Sequence, residues 1–209
     1  MADEILSEQQ IWNILTGYGL TDVAASGVMG NIQDESGFIP YRVQGDYSSG
    51  YTYSIQYTEK VNNGTISRYD FCNNGPNGGG YGYCQWTYFS RKENFYDYWQ
   101  SSTYSSIGNG YMQLAFLWQD LQTNYSELLT ELQAQTAPYQ AALTFGFGYE
   151  KELTPGEQAS RGANAQRIYQ EYHGGPGPGP GPGPGPGPVP PRTIKNNLMK
   201  RYIKYGIWF

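Results

Sequence analysis

The residue in this chain best placed to do chemistry is Glu35, in the stretch Val28-Met-Gly-Asn-Ile-Gln-Asp-Glu-Ser-Gly37. Helical spacing puts Asn31, Val28 and Ala24 four, seven and eleven residues before it, on a single face. That face is apolar or neutral until it reaches the glutamate, which sits where Gly37 should end the helix. A carboxyl group at the end of an inward face is partly desolvated and holds its proton more tightly. That is the physical route by which a glutamic acid becomes a general acid near neutral pH. Asp34 lies about 100° round the helix and is expected to face solvent. The plainer reading makes Glu35 a helix-end residue in a local ion pair.

Several other chemistries lack their parts. The single histidine, His173, stands at the edge of a Gly/Pro run, where it cannot serve a Cys-His peptidase inside a fold. A zinc amidase or endopeptidase normally needs two or more histidines, so neither metal nor cofactor is expected. Two cysteines, Cys72 and Cys84, can either close one disulfide across a Gly-rich loop or remain thiols. Up to residue 191 the chain has eight Lys and Arg against eighteen Asp and Glu, formally −10. This argues against nucleic acid, whose phosphates need a basic footprint. Aromatic residues make up 16% of the chain, mostly its 21 tyrosines, with 28 glycines. Such a composition favours half-wet surfaces on which a ring stacks while its hydroxyl stays hydrated, and sugar polymers suit them.

The elements that must position Glu35 follow in order. Ser7 to Gln10 is a capping box that opens a helix with Ile11, Ile14, Leu15 and Tyr18 on one stripe. Thr21 caps the next helix, whose small residues Ala24, Ala25, Ser26 and Gly27 allow close packing. From Phe38 to Tyr83 helical periodicity is lost; Tyr51–Tyr57 and Thr65–Phe71 read as short strands in an irregular hairpin region. Thr87 is expected to cap a helix reaching Trp99. Further helices are expected over Gly110–Thr123, Ser126–Gln133, Pro138–Tyr149 and Gly156–Tyr172, the third with proline in its first turn.

Residues 174–191 alternate glycine and proline and can build no core. They read as a spacer reaching roughly 50 Å if extended at ~3.1 Å per residue. Residues 192–209 hold five basic residues and no acid, with Ile194, Leu198, Tyr202 and Tyr205 on one helical side. This is either the stub of a domain or a tether to an anionic envelope surface. The organisation expected is thus a domain over 1–173, a linker over 174–191 and a tail over 192–209. The N-terminus, Met-Ala-Asp-Glu, shows no signal peptide, and no run is long enough to span a membrane.

Two motifs belong together: Gly30-Asn-Ile-Gln-Asp-Glu-Ser36 and Gly80-Tyr-Gly-Tyr-Cys-Gln-Trp-Thr87. In this order they resemble the phage tail lysozyme family. Phe145 to Glu150, followed by Arg161, Ala165 and Tyr169, extends the resemblance, which covers about residues 5–172. It implies an α+β, lysozyme-like fold, mostly helical with a small irregular β region, and a cleft between the lobes. It also implies that Glu35 donates a proton to the β-1,4 link between MurNAc and GlcNAc in peptidoglycan. Asn31, Tyr83, Gln85 and Trp86 would then bind substrate, an amide holding an N-acetyl group or water and a ring shielding the acid. Glu150 reads as structural, paired with Arg161. Ser36 reads as ordering the helix end.

Glycosidases usually use two carboxylates. Asp46, Glu59 and Asp70 all fall in the expected β region, and Asp46 is preferred because it follows Gly45 early in that lobe. A lytic transglycosylase would need the acid alone, since the sugar's own 6-hydroxyl attacks. A carbohydrate-binding module without catalysis is a rival from another class, and a virion protein with a vestigial hydrolase domain is a third. The expected partner is the glycan strand and the expected state a monomer. The setting is phage-encoded, either a host cytoplasm with release to the wall or a virion tail.

Overall fold

The computed structural model describes residues 5–73, 79–150 and 153–174; the Gly/Pro run beyond Gly174 and the basic segment lie outside the described residues. Among the described residues nine α-helices run in order: α1 (Glu8–Gly17), α2 (Asp22–Ser36), α3 (Thr52–Asn62), α4 (Arg68–Asn73), α5 (Phe89–Ser101), α6 (Gly110–Thr123), α7 (Ser126–Gln133), α8 (Pro138–Phe145) and α9 (Pro155–Tyr172). A 3-10 turn, Ser49–Tyr51, precedes α3, and a π-helical turn, Gly146–Glu150, continues α8. The start signals read from the sequence operate. Ser7 and Gln10 form the reciprocal capping box of α1, Thr21 accepts from Ala24 N at α2, and Pro138 occupies the first turn of α8. A second reciprocal box, Thr154 with Glu157, opens α9.

Helix α2 is the central element. Every residue from Ala24 through Ile32 is buried, because α1, α8 and α9 pack around it. A helix enclosed on all sides must be apolar or small on all sides, and its glycines set how closely the neighbours approach. A Cβ on Gly27 would lie 2.6 Å from the Ala141 carbonyl carbon of α8. A Cβ on Gly30 would lie 2.6 Å from the Arg161 carbonyl oxygen of α9. Neither backbone can give way without moving its helix.

The expected β region is corrected. Among the described residues its only extended pairing is two isolated bridges, Val43 with Tyr81 and Tyr81 with Trp86. Tyr51–Tyr57, rich in strand-favouring residues, lies mostly in α3. Ser54, Tyr57, Thr58 and Val61 are the buried residues there, at spacings of three, four and seven, so packing at a helical period overrides the local preference. Most of Thr65–Phe71 likewise enters α4, whose start is a cap: Ser67 Oγ accepts from Asp70 N at 3.1 Å and donates to the Asp70 carboxylate at 2.6 Å. Thr87 does not cap α5, because its hydroxyl donates to the Gln85 carbonyl instead. The chain is mostly helical.

A second core of rings supports the Gly80–Trp86 segment. Trp86 stacks on Phe95 at 4.6 Å and meets Phe116 edge-on at 5.3 Å, while Phe71 meets Tyr81 edge-on at 5.5 Å. Cys72 and Cys84 are both free thiols and both buried.

The packing predicts opposite effects at two helical glycines. Gly27→Ala is expected to destabilise the fold by about 1–3 kcal/mol through overpacking, despite alanine's higher helix propensity. Gly17→Ala, where nothing lies within 4 Å of the added carbon, is expected to be neutral or to stabilise by up to about 1 kcal/mol. Denaturant unfolding of both variants checks the pair; equal behaviour would show that α2 is not tightly clasped.

Candidate active site

Glu35 stands one residue before the end of α2, where Gly37 takes the left-handed conformation with φ 61°. Phe38 follows, also left-handed at φ 61° and nearly buried. A bulky side chain in that region costs on the order of 1–3 kcal/mol and persists only where surrounding packing enforces it. Two such residues in succession turn the chain away immediately after the acid. Ser36 points back into α2, its hydroxyl donating to the Ile32 carbonyl, which is the helix-ordering role its position suggests.

The Glu35 side chain retains 19% of its exposure and meets Arg161, which retains 5%. The guanidinium is divided between two acceptors on α2: one terminal nitrogen donates to Glu35 Oε1, the other to Asn31 Oδ1 at 2.8 Å. Asp34 lies 3.7 Å from Arg161 Nε and accepts from Ser160 on the exposed side. Asn31 is buried, and its amide nitrogen donates to the carbonyls of Gly27 and Ala142. It joins α2 to α8 and α9 and leaves no group for a ligand. Desolvation raises the Glu35 pKa above the ordinary glutamate value. Arg161 opposes the rise by charge and hydrogen bond, and Asp34 and Glu157 add to it.

The remaining expected site residues are placed differently from one another. Trp86 and Tyr83 are wholly buried. Trp86 Nε1 donates to the Tyr149 hydroxyl at 3.0 Å, which donates to Asp120 at 2.8 Å. These rings hold the fold around the site and present no face to a sugar. Gln85 is half-buried with φ 44°. Its amide nitrogen donates to the carbonyls of Arg42 and Gly82, tying the Gly80–Trp86 segment to the chain that leaves α2.

Asp46 is buried and bound on both oxygens. Oδ1 accepts from the backbone and hydroxyl of Ser48, at 2.9 and 2.5 Å, and Oδ2 from those of Ser54, at 2.8 and 2.6 Å. Burial opposes its ionisation, but the four hydrogen bonds outweigh that and hold the carboxyl down at about 2. This carboxylate fastens the loop to the start of α3 through both of its oxygens.

A second enclosed carboxyl, Glu150, feels the charge of Glu35. It ends the π turn, a local distortion often found at functional sites. The turn packs on α2: a Cβ on Gly146 would come within 3.0 Å of Asn31 Oδ1. Glu150 Oε1 is fully enclosed with no hydrogen-bond partner. The expected pairing of Glu150 with Arg161 is corrected, since Arg161 spends its donors on Glu35 and Asn31. Desolvation and then the Glu35 charge raise the Glu150 carboxyl to about 8, against Arg91 and Arg161. Arg91, half-buried on α5, donates to the Tyr149 carbonyl at 3.0 Å and lies over the Tyr149 ring at 4.0 Å. Nothing in the sequence pattern singles out Arg91 or Asp120; Glu150 lay inside a motif that named it without giving its neighbour. Among the described residues, no group of three or more His, Cys, Asp or Glu is placed to hold a metal ion, and no helix is long and apolar enough to cross a membrane.

A desolvated glutamic acid at the mouth of a buried helix, counter-charged by one arginine, has the proton affinity that general-acid chemistry calls for. The family model described as phage tail lysozyme matches residues 7–172, and the chain belongs to that family. It is therefore a phage-type peptidoglycan-lytic enzyme, its matched span enclosing both carboxyls and all nine helices. No curated protein matches the chain.

The geometry of Asp46 makes its loss a stability effect with a defined pH dependence. Its depressed carboxyl contributes stability that is present above the unfolded value near 4 and lost as pH falls through about 2. Asp46→Asn is therefore expected to lower stability by about 1–3 kcal/mol near pH 6, with the gap to the parent closing as pH falls from about 4 toward 2. Urea titrations at several pH values check it; a pH-independent gap would contradict the assignment.

Proposed function

We propose that this enzyme cleaves the β-1,4 glycosidic bond between MurNAc and GlcNAc, with Glu35 as the general acid that protonates the bridging oxygen. The observation that carries this reading is the placement of Glu35. It is desolvated enough to hold a proton above the ordinary range, yet it keeps a partly open side chain that a substrate can reach. Arg161, already in place, then balances the negative charge left on Glu35 after proton transfer.

The family supplies the polymer; the acid supplies the bond class. Water is the acceptor in the main reading, giving a hydrolase. The same acid serves a lytic transglycosylase, in which the 6-hydroxyl of the MurNAc residue replaces water. Asn31, Tyr83, Gln85 and Trp86 act in this reading as the frame of the site, because their polar groups or rings are engaged within the protein. Asp46 acts as the fastener of the adjoining loop.

Glu35→Gln keeps the shape and removes the proton. It is expected to reduce turnover of purified peptidoglycan by about 10²–10⁴ with little change in fold. Parent-level clearing by this variant would overturn the assignment. Mass spectrometry of the products separates the chemistries: reducing MurNAc ends for hydrolysis, 1,6-anhydro ends for the transglycosylase. Free peptides beside intact glycan would rule out both. Because the Glu35 pKa is raised, activity is expected to fall as pH rises through that raised value; a rate flat into the alkaline range would argue against a single essential acid.

A further inference from the structure

Arg161 reaches Glu35 with one nitrogen only. A guanidinium that meets a carboxylate with both terminal nitrogens forms two parallel charge-assisted bonds, the strongest pairing the two groups make. Here Nη2 donates to Glu35 Oε1, while Nη1 donates to Asn31 Oδ1 at 2.8 Å. Asn31 and Glu35 are four residues apart on α2, so they share a face and Arg161 spans them from α9. Among the described residues nothing donates to the second oxygen, Glu35 Oε2, which is not one of the atoms enclosed without a partner. The side chain keeps 19% of its exposure.

The Asn31 amide is itself fixed. Its nitrogen donates to the Gly27 carbonyl at 2.8 Å and the Ala142 carbonyl at 2.9 Å, and the residue is buried. Reversing the amide would turn its oxygen onto two carbonyls and its NH2 onto a cation, so only one orientation satisfies its partners. Gly146, the first residue of the π turn, leaves the amide oxygen its room, since a Cβ there would lie 3.0 Å from it.

We propose, on the reading that Glu35 is the acid, that Asn31 is a positioning residue: it withholds one arm of Arg161, so that Oε1 is the anchored oxygen of Glu35 and Oε2 the oxygen that donates the proton. In the step, the Oε2–H bond breaks and its electron pair stays on the carboxylate. The proton goes to the bridging oxygen, which takes the electron pair of its bond to the MurNAc anomeric carbon and leaves as a hydroxyl of GlcNAc. Water bonds to that carbon and releases its proton to solvent. Before the step the acid must be protonated. A two-armed Arg161 would favour the ionised form at both oxygens; the one-armed contact leaves a protonated form while keeping the counter-charge at hand. The other charged groups acting on Glu35 are Asp34 on α2 and Glu157 on α9, and Glu150 of the π turn and Cys84 of the Gly80–Trp86 segment feel its charge. Asn31 carries no charge, so replacing it by another neutral residue changes the charge around Glu35 only through Arg161.

The test is the pH profile of kcat/KM on soluble glycan fragments for the parent, Asn31→Leu and Glu35→Gln. Leucine is close to asparagine in shape and offers no acceptor, so Nη1 is released to Glu35. The alkaline limb is expected to move to lower pH by about one unit, or about tenfold in rate on that limb. A structural role alone would lower the rate alike at every pH, so a limb that stays in place or moves to higher pH overturns the proposal. If Asn31→Leu does not fold, nitrogen-15 NMR of the parent decides, with Arg161 assigned as the guanidinium that Glu35→Gln perturbs. As Glu35 titrates, one terminal nitrogen is expected to shift while the other stays as Asn31 holds it; equal movement of both means a two-armed contact and overturns the proposal. Glu35→Gln separates the two readings: parent-level activity there sinks the acid assignment, whereas an inactive Glu35→Gln beside an unmoved Asn31→Leu limb sinks the role of Asn31 alone.

Discussion

The contact on which the rest of this structure depends is the fork of Arg161. Its two terminal nitrogens reach Asn31 and Glu35, one helical turn apart on α2. A nearly buried guanidinium needs acceptors, and these two reach its terminal nitrogens only if α9 lies along α2 at one rotation and one height. The glycine at position 30 allows that approach, since α9 runs so close that a methyl group would strike the Arg161 carbonyl. Close packing and charge pairing thus specify the same arrangement. The result is an acid whose distance from its counter-charge is set by two helix axes rather than by a loop.

Around that contact the protein builds outward in polar links that cross between helices. Asn31 connects α2 to α8, the π turn rests on Asn31, and Tyr149 of that turn gathers Trp86 and Asp120. Each link is a buried polar group whose partner lies on a different element, and unmet groups of this kind are expensive. The site is therefore rigid because its frame consists of obligatory pairs. The pairing is incomplete: Glu150 Oε1, Arg161 Nε and two nitrogens of Arg91 are enclosed without a hydrogen-bond partner among the described residues.

How much of this was legible in the sequence follows from the range of each interaction. Caps are local, so Ser7, Thr21 and Pro138 announced their helices correctly, and the end of α2 beside Glu35 was legible because helical spacing and the Gly37 stop lie within a dozen residues. The strand reading of Tyr51–Tyr57 failed because tyrosine and threonine favour strands locally, while the buried spacing of Ser54, Tyr57, Thr58 and Val61 became meaningful only against the ring cluster of Phe71 and Tyr81. The cap at Ser67 and Asp70 was readable and outweighed by the same local preference. Asp46 was favoured by its place in the chain, yet its hydroxyl partners at Ser48 and Ser54 could be assigned only once α3 existed. Glu150 is more than a hundred residues from Glu35, and nothing local reveals that the two charges act on one another.

The state of the two cysteines has a consequence for where this fold can exist. Cys72 and Cys84 are buried apart from any bridge, and desolvation raises both thiols, Cys72 to about 11. A thiol that stays protonated and enclosed is a poor nucleophile and oxidises slowly. The described domain thus takes no stabilisation from a covalent cross-link and gains nothing from an oxidant. Folding of the described residues therefore has no disulfide to form, and a change from a reducing to an oxidising setting meets two enclosed, protonated thiols.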